Sequence, residues 1–257
     1  MALDRWTFSG RTPGSATGDP VSRPPWLRDA VEGVELRPGR RAGASTRRGC
    51  RKGRAGSRVQ PFLNGEQTVY LTLARHGETT WSRTGQHTGR TDLPLTERGQ
   101  AQARALAVRL EGSEFDAMLS SPSQRARDTA AATGREFATD ERLVELDYGA
   151  YEGLTTVQIR GRRPAWDLWF DGCPDGETVD DVALRVDAVL QDLIESGARS
   201  ALLVGHSHTF RVLAARYLGM EPQAGRLFRL DTATLSELGE YHARPVVVRW
   251  NTSDHLA

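Results

Sequence analysis

Residues 68–79 read TVYLTLARHGET, and this stretch decides the class of fold. Its first seven residues are apolar, aromatic or β-branched, a composition that is typical of a buried β-strand. The polar or small residues Arg75, His76 and Gly77 come next and end the strand. The stretch therefore predicts a buried strand with an arginine and a histidine at its carboxyl end.

Strand and helix patterns alternate along the rest of the chain. The other predicted strands are residues 115–120 (FDAMLS), 201–205 (ALLVG) and 245–250 (PVVVRW). The predicted helices are residues 96–111, residues 123–134, a long helix that begins at Thr178, and residues 209–218. This alternation predicts an α/β three-layer sandwich, in which helices flank a mostly parallel central sheet.

The composition excludes several classes of protein. With 38% hydrophobic and 26% charged residues, the chain is neither collagen-like nor wholly disordered. No run approaches the roughly 18 apolar residues of a membrane-spanning helix. Cys50 and Cys173 stand far apart, so neither a disulfide framework nor a zinc site is indicated. The first thirty residues lack the apolar run of a secretory signal, and we expect a cytoplasmic protein without a membrane partner.

The charge of the chain changes near residue 60. Residues 1–60 hold thirteen basic and five acidic residues, a net charge of +8, which leaves −7 for residues 61–257 from the total of +1. The first part also holds nine glycines and five prolines. Such a segment buries too little apolar surface to offset its ordering entropy. We therefore predict a disordered tail at 1–60 and a folded domain at 61–257.

Two further interpretations of the tail stay open. Its arginine run at 47–54 could bind a polyanion, although the acidic body makes nucleic acid an unexpected partner. Lys52 is the only lysine in the chain, which suggests a GC-rich gene with an upstream start assigned in error. Because no methionine lies between Met1 and Met118, a later start would need another codon, such as that of Val59 or Leu63.

Two histidines directly follow predicted buried strands. His76 follows the first strand, and His206 follows ALLVG. Ligands of a parallel α/β sheet bind at the carboxyl ends of its strands, where both histidines would lie. If the first two strands are neighbours, Arg125 near the start of the next helix reaches the same place, where the helix N-terminus favours an anion. The sequence thus predicts an anion site.

Four blocks in this order resemble the histidine phosphatase superfamily, also called phosphoglycerate mutase-like. They are RHGET at 75–79, SPSQRARDTA at 121–130, LVELDYGAYEG at 143–153 and the late strand that ends in His206. Runs within residues 80–96 and 169–178 are similar to those of a branch of acid phosphatases and sugar-bisphosphate phosphatases. The resemblance covers about residues 68–210 and implies a phosphoglycerate mutase-like fold and phosphatase activity.

The resemblance also implies roles for five residues. His76 would attack phosphorus and form a phosphohistidine, and Glu145 would protonate the leaving oxygen and then activate water. Arg75, Arg125 and, if charged, His206 would disfavour the protonated form of His76 and hold the phosphoryl oxygens. A backbone acceptor at Nδ1 would leave Nε2 of His76 free to attack. Because Glu145 must donate a proton, we expect its pKa to be raised.

Five further positions are expected to contact the substrate: Thr79, Ser82, Thr88, Gly89 and Ser207. No cofactor and no metal ion is expected. The predicted activity is therefore that of a metal-independent phosphomonoesterase whose partner is a small phosphorylated substrate, such as a sugar phosphate. Neither the physiological substrate nor the oligomeric state is indicated by the sequence.

Two positions depart from the superfamily pattern. Ser207 stands where members usually have glycine, so its side chain would crowd the phosphate or donate to it. Ser82 stands where the mutases have asparagine, and the stretch between Glu145 and His206 is shorter than in the mutases. The last two features favour hydrolysis over a cofactor-dependent phosphoglycerate mutase, which is the alternative. A second anionic group could still bind the arginines of that stretch: Arg160, Arg162 and Arg163.

Several other interpretations stay open. GHSHT at 205–209 nearly matches the nucleophile elbow of serine α/β-hydrolases, with Ser207 as nucleophile and a triad completed by late residues: Asp231 or Asp254, and His242 or His255. A non-catalytic interaction domain with a weakened pocket is the third class. Glu152 could take the acid role. Five aromatic residues either line the substrate site or stand elsewhere: Trp81, Trp166, Trp169, His87 and His208. His206 and His208 lack a third metal ligand at suitable spacing.

Overall fold

The computed structural model describes residues 68–257, so the predicted tail at 1–60 lies outside the described residues. Within the described chain, six strands form one sheet in the order β3-β2-β4-β1-β5-β6. β3, β2, β4 and β1 run parallel, whereas β5 and β6 run antiparallel to their neighbours. The strands are β1 (Tyr70–Arg75), β2 (Ala117–Ser120), β3 (Ala138–Thr139), β4 (Ser200–Gly205), β5 (Leu235–Tyr241) and β6 (Arg244–Thr252).

Helices cover both faces of the sheet. α2 and α3 pack on one face, where they meet Ala74 of β1 and Val204 of β4. α6 and α7 pack on the other face, where they meet Leu73 of β1 and Leu203 of β4. The α-helices of the described chain are α1 (Thr80–Thr84), α2 (Glu97–Arg109), α3 (Gln124–Ala131), α4 (Thr156–Arg162), α5 (Leu168–Asp171), α6 (Val179–Glu195) and α7 (Ser207–Tyr217). The predicted three-layer α/β sandwich is confirmed.

Side-chain capping explains two of the predicted helix starts, whereas Ser123 at the start of α3 makes no side-chain cap. The Thr96 side chain accepts from the Gly99 N–H at the start of α2. The Thr178 side chain forms a capping box with Asp181 at the start of α6. α7 begins two residues earlier than predicted, directly after His206. Among residues 68–257, no helix combines the length and apolarity needed to cross a bilayer.

The strand order differs from the sequence expectation in two ways. β1 and β2 are not neighbours, because β4 lies between them and pairs with both. The central position suits β4, since Ala201 through Val204 are fully buried. The sequence predicts neither β3 nor β5. β3 has only two residues, and LSELGEY of β5 has a serine in one alternate set of positions and a glutamate and a glycine in the other, so neither set is apolar. β5 is ordered by its pairing with β1 on one side and with β6 on the other.

Gly77 allows the loop after β1 to touch α2. A Cβ atom at Gly77 would overlap the carbonyl oxygen of Gly99, and a Cβ atom at Gly99 would overlap that of Glu78. Both obstacles are backbone atoms, which a rotamer change cannot remove. The glycine after His76 is therefore needed for packing, and the packing fixes where His76 lies.

Gly77→Ala is expected to lower the free energy of unfolding by about 1–3 kcal/mol, because the extra methyl group overpacks the α2 contact. Gly161→Ala is the matched control, since a Cβ atom at this exposed position in α4 meets no atom within 4 Å. Alanine is the better helix former, so the control should gain up to about 1 kcal/mol. Urea denaturation of the three proteins measures both effects, and equal stabilities of parent and Gly77→Ala would contradict the packing role.

Candidate active site

His76 and His206 lie side by side because β1 and β4 are neighbouring parallel strands. Arg75 at the end of β1 is in register with Gly205 at the end of β4, and each histidine is the next residue. The backbone N–H of His76 donates to the Gly205 carbonyl at 3.0 Å. The ring centroids are 5.1 Å apart in an edge-to-face arrangement. The fold thus brings both histidines together at the carboxyl edge of the sheet.

His76 is held in one neutral tautomer. Its Nδ1 lies 2.7 Å from the Gly77 carbonyl oxygen, and because a carbonyl only accepts, Nδ1 carries the proton. Burial holds the pKa of His76 well below its usual value of 6.5, and Arg75 and Arg125 lower it further. This is the direction expected from the sequence, with burial as the larger cause. Nε2 therefore keeps a lone pair for nucleophilic attack.

Arg75 and Arg125 enter this cluster from different elements. Arg75 ends β1, and its Nη1 donates to the Leu230 carbonyl at 2.6 Å. Arg125 lies in the first turn of α3, is 1% exposed and donates to three carbonyls of the loop at 88–91. Within residues 68–257, neither guanidinium forms a salt bridge. Both positive charges are therefore available to an anion.

His206 contacts two serines of the loop that precedes α3. Its Nε2 lies 2.8 Å from Ser121 Oγ and 3.1 Å from Ser123 Oγ. Burial, with a further contribution from Arg125, holds the pKa of His206 well below 6.5. The ring is therefore neutral, so the positive charge of the cluster comes from the arginines.

Three buried nitrogen atoms of this cluster have no hydrogen-bond partner: Arg75 Nε, Arg125 Nε and His206 Nδ1. Among the described residues, Glu237 Oε2 is the one other buried side-chain oxygen or nitrogen in this condition. Buried polar groups in proteins are nearly always paired. Their concentration around His76 therefore marks a site for a ligand with several acceptor oxygens, and arginine donors match phosphate oxygens well.

Glu145 lies against the N-terminus of α7. Its Oε1 accepts from the backbone of Leu146 and Thr209 at 3.0 Å, and its Oε2 accepts from that of His208 at 3.1 Å. Burial alone would raise the pKa of Glu145, but the neighbouring His208 and the backbone hydrogen bonds hold it well below 4.5. The expected raised pKa is wrong for the protein alone, because the carboxylate caps a helix instead of standing in an apolar pocket.

Glu152 holds the loop at 88–91 through its carboxylate. Its carboxylate accepts from the backbone of Gly89 and Thr91 at 2.9–3.0 Å. A Cβ atom at Gly89 would approach the Leu146 carbonyl to 2.7 Å, so this position needs glycine. Glu152 and Arg125 grip the loop at 88–91 from two sides. This arrangement assigns Glu152 a positioning role and does not support an acid role.

Two clefts open beside the cluster. The first, which we call the aromatic cleft, has a volume of about 450 Å³. Its lining residues are His87, Thr156, Arg160, Trp166, Asp167, Leu168, Trp169, His208, Arg226 and Leu227. The second, the acidic cleft, has a volume of about 480 Å³. Its lining residues are Gly89, Arg90, Asp92, Pro122, Ser123, Glu141, Val144, Glu145, Asp147 and Glu177. The five carboxylates of the acidic cleft disfavour an anionic substrate there.

The profile of the histidine phosphatase superfamily (branch 1) matches residues 71–253. The chain belongs to this superfamily. An acid phosphatase of Mycobacterium tuberculosis is 40% identical over 176 residues, which are 67% of this chain and 87% of that protein. A sedoheptulose 1,7-bisphosphatase of Saccharomyces cerevisiae is 33% identical over 190 residues, 61% of this chain and 70% of that protein. A solved structure from Mycobacterium tuberculosis matches with a TM-score of 0.70 and 36% identity, covering 73% of this chain and 99% of that chain.

This histidine phosphatase is an enzyme of the phosphatase class, as its relatives indicate. The five positions expected to contact its substrate are close in sequence to the cluster but differ in their local bonds. Thr79 and Ser82 form the capping box of α1. Thr88 and Gly89 belong to the loop that Arg125 and Glu152 hold.

Ser207 of this histidine phosphatase lacks the partners of a serine-hydrolase nucleophile. Its Oγ donates weakly to the Leu230 carbonyl at 3.4 Å. His255 Nε2 contacts the Ala233 carbonyl, and within residues 68–257 no histidine forms a hydrogen bond with Ser207. His206 and His208 also bind different partners, Ser121 and Tyr148. Across the described residues, no group of three or more histidine, cysteine or acidic side chains is arranged to hold a metal ion.

Four of the five aromatic residues considered for the substrate site of this histidine phosphatase line one cleft, and one does not. Trp166, Trp169, His87 and His208 line the aromatic cleft, whereas Trp81 packs against Gly153. Arg160 lines the same cleft, whereas Arg162 and Arg163 do not. Sequence reasoning assigned no role to Tyr148, Ser121 or Ser123. The serines follow β2 at the carboxyl edge of the sheet, but polar residues are common in such loops and give no specific signal.

The buried neutral histidines make the stability of this histidine phosphatase depend on pH. The folded-state pKa values of His76 and His206 lie well below 6.5, so below about pH 6.5 the unfolded chain binds protons that the folded state excludes. The free energy of unfolding should therefore fall between pH 6.5 and 5, by up to about 1.4 kcal/mol per pH unit for each histidine. Urea denaturation at pH 7, 6 and 5 should show a shallower fall for His76→Gln. A parent stability that does not change over this range would contradict the prediction.

Proposed function

We propose that the protein is a metal-independent phosphomonoesterase that hydrolyses a small phosphorylated metabolite through a phosphohistidine at His76. The observation that carries this proposal is the set of three unpartnered buried nitrogens, from Arg75, Arg125 and His206, around a neutral histidine. A phosphoryl group supplies the acceptor oxygens that these nitrogens lack. Membership of the histidine phosphatase superfamily supports the same chemistry.

In the first step, His76 Nε2 attacks phosphorus, and the bond from phosphorus to the leaving oxygen breaks. The two guanidinium groups bind the phosphoryl oxygens as charge spreads over them. When the Ser121 hydroxyl donates to His206 Nε2, the ring proton lies on Nδ1. This Nδ1–H then donates to the phosphoryl group. Glu145 gives its proton to the leaving oxygen.

In the second step, water attacks the phosphohistidine. Glu145, now a carboxylate, takes a proton from this water, and the bond between phosphorus and Nε2 breaks. Inorganic phosphate leaves, His76 returns to its neutral form, and Glu145 is again protonated. The two arginines supply the positive charge that a metal ion supplies in other phosphatases. Transfer to a second metabolite instead of water, as in a mutase, is the alternative.

The leaving group of the substrate is proposed to lie in the aromatic cleft. Burial lowers the pKa of His87 to about 4, so this ring is neutral and suited to hydrogen bonds with hydroxyl groups. Arg160 and Arg226 stand at the cleft, against one acid, Asp167. This balance favours a hydroxylated leaving group with a second anionic group. The relative from Saccharomyces cerevisiae, named for a sugar bisphosphate, supports this class.

His76→Ala is expected to lower hydrolysis of p-nitrophenyl phosphate by at least about 10³-fold, because no other group can accept the phosphoryl. EDTA should leave turnover by the parent unchanged. Labelled substrate should leave an acid-labile, alkali-stable label on the parent but not on His76→Ala. His242→Ala, in the turn between β5 and β6, is the control and should match the parent.

Three results would argue against this function. Loss of turnover in EDTA would indicate a metal enzyme, and labelling of His76→Ala would place the nucleophile elsewhere. An isomerised phosphorylated metabolite without inorganic phosphate release would indicate a mutase. No turnover of any phosphate ester by the parent would favour the interaction domain.

Arg160→Gln tests the second anionic group. We expect kcat/KM for a sugar bisphosphate to fall about tenfold relative to that for p-nitrophenyl phosphate, because one charged contact of about 1.4 kcal/mol is lost. Arg162→Gln is the matched control, since Arg162 is exposed on the same helix and does not line the cleft. If the ratio of the two kcat/KM values is the same in both variants, Arg160 does not bind the leaving group.

A further inference from the structure

His208 connects the buried Glu145 carboxylate to the aromatic cleft. Its Nδ1 lies 2.6 Å from the Tyr148 hydroxyl oxygen and 3.8 Å from Glu145 Oε2. The side chain of His208 is 16% exposed and lines the cleft, whereas that of Glu145 is 6% exposed. In the aromatic cleft, His208 is therefore the solvent-exposed neighbour of Glu145, whereas Glu145 itself lines the acidic cleft.

The geometry around Glu145 creates a need for such a connection. Three backbone N–H groups and the Thr209 hydroxyl donate to its carboxylate, an environment that favours the ionised form. The proposed first step nevertheless requires a protonated Glu145 when the ester bond breaks. The proton must therefore come from the substrate, from a neighbouring side chain or from water in the acidic cleft, which Glu145 lines.

We propose that His208, held by Tyr148, is the positioning residue through which Glu145 gains and loses its proton. This inference rests on the proposed function, in which Glu145 is the acid. When the phosphoryl dianion enters the cluster, its charge favours protonation of Glu145. A proton from the aromatic cleft first binds His208 Nε2, and the resulting imidazolium gives its Nδ1 proton to Glu145 Oε2. The ring is left neutral with its proton on Nε2, and Nδ1 then accepts from the Tyr148 hydroxyl.

Tyr148 fixes the position of the His208 ring for this proton transfer. The phenol is 2% exposed, and burial raises its pKa well above 10, so it stays protonated and holds Nδ1 without competing for the transferred proton. Burial lowers the pKa of His208, and Glu145 opposes this effect. The titratable and charged groups near His208 are Glu145, Tyr148, His87, Arg211 and Arg75, with Arg160, Asp167 and Arg226 across the cleft. Proton supply by His208 is therefore favoured at acidic pH.

The test compares leaving groups that differ in their need for an acid. p-Nitrophenolate leaves readily without a proton, whereas the alkoxide of glycerol 2-phosphate does not. For His208→Asn, which retains a polar atom near the position of Nδ1, we expect kcat/KM to fall at least about tenfold more with glycerol 2-phosphate than with p-nitrophenyl phosphate. kcat/KM is the relevant constant, because it reports the steps through phosphoryl transfer to His76.

A control and a rescue separate proton supply from structure. His242→Asn changes an exposed histidine outside the cleft, in the turn between β5 and β6, and should affect both substrates equally. In His208→Ala, added imidazole should restore glycerol 2-phosphate turnover more than p-nitrophenyl phosphate turnover. The descending limb of the pH profile for glycerol 2-phosphate should shift to lower pH in both His208 variants.

Equal losses with both substrates, or full activity with glycerol 2-phosphate, would overturn the role of His208 and indicate that the proton comes from the substrate or from the acidic cleft. Failure of the proposed function gives a different result, because the parent itself would then form no phosphohistidine. Glu145→Gln provides the reference for complete loss of the acid. Its loss of kcat/KM with glycerol 2-phosphate, relative to that with p-nitrophenyl phosphate, should be larger than the same ratio for His208→Asn.

Discussion

The parallel pairing of β1 with β4 is the constraint on which the active site depends. Parallel strands in register end at the same height, so Arg75 and Gly205 face each other and the next residues are His76 and His206. Neither residue is drawn to the other by charge, since both rings are neutral. The hydrophobic burial of the two strands places them there, and Gly77 then lets the chain turn closely beneath α2.

Burial has opposite consequences for the histidines and the arginines of this cluster. The imidazole rings respond by staying neutral, which provides a nucleophile and a hydrogen-bond donor. A guanidinium group stays charged in proteins, so Arg125 is partly satisfied by the carbonyls of the loop at 88–91. Carbonyl oxygens carry no net charge, and the cluster therefore keeps its positive potential for the phosphoryl group. Glu152 completes this arrangement by holding the N–H groups of the same loop.

The residues that follow strands could be predicted, whereas those that depend on packing between distant segments could not. His76, His206 and Arg125 adjoin strands or helix starts that the sequence marks clearly. β5 has polar residues at buried positions, and only its pairing with β1 and β6 orders it. The contact of Tyr148 with His208 joins residues sixty positions apart and has no local signal. The lowered pKa of Glu145 has the same origin, because two of its three backbone donors, His208 and Thr209, belong to the distant α7.

The position of Glu145 at the start of α7 explains how one carboxyl group can serve both steps of the proposed reaction. The donors of α7 favour the carboxylate, which is the form that must accept a proton from water in the second step. The phosphoryl dianion favours the carboxylic acid, which is the form that must act in the first. Glu145 becomes the carboxylate by giving its proton to the leaving oxygen and regains a proton from the attacking water. After phosphate departs, the donors of α7 again favour the carboxylate. This change of protonation needs a route for one proton, and the His208 ring lies between Glu145 and the aromatic cleft at the place where that route is required.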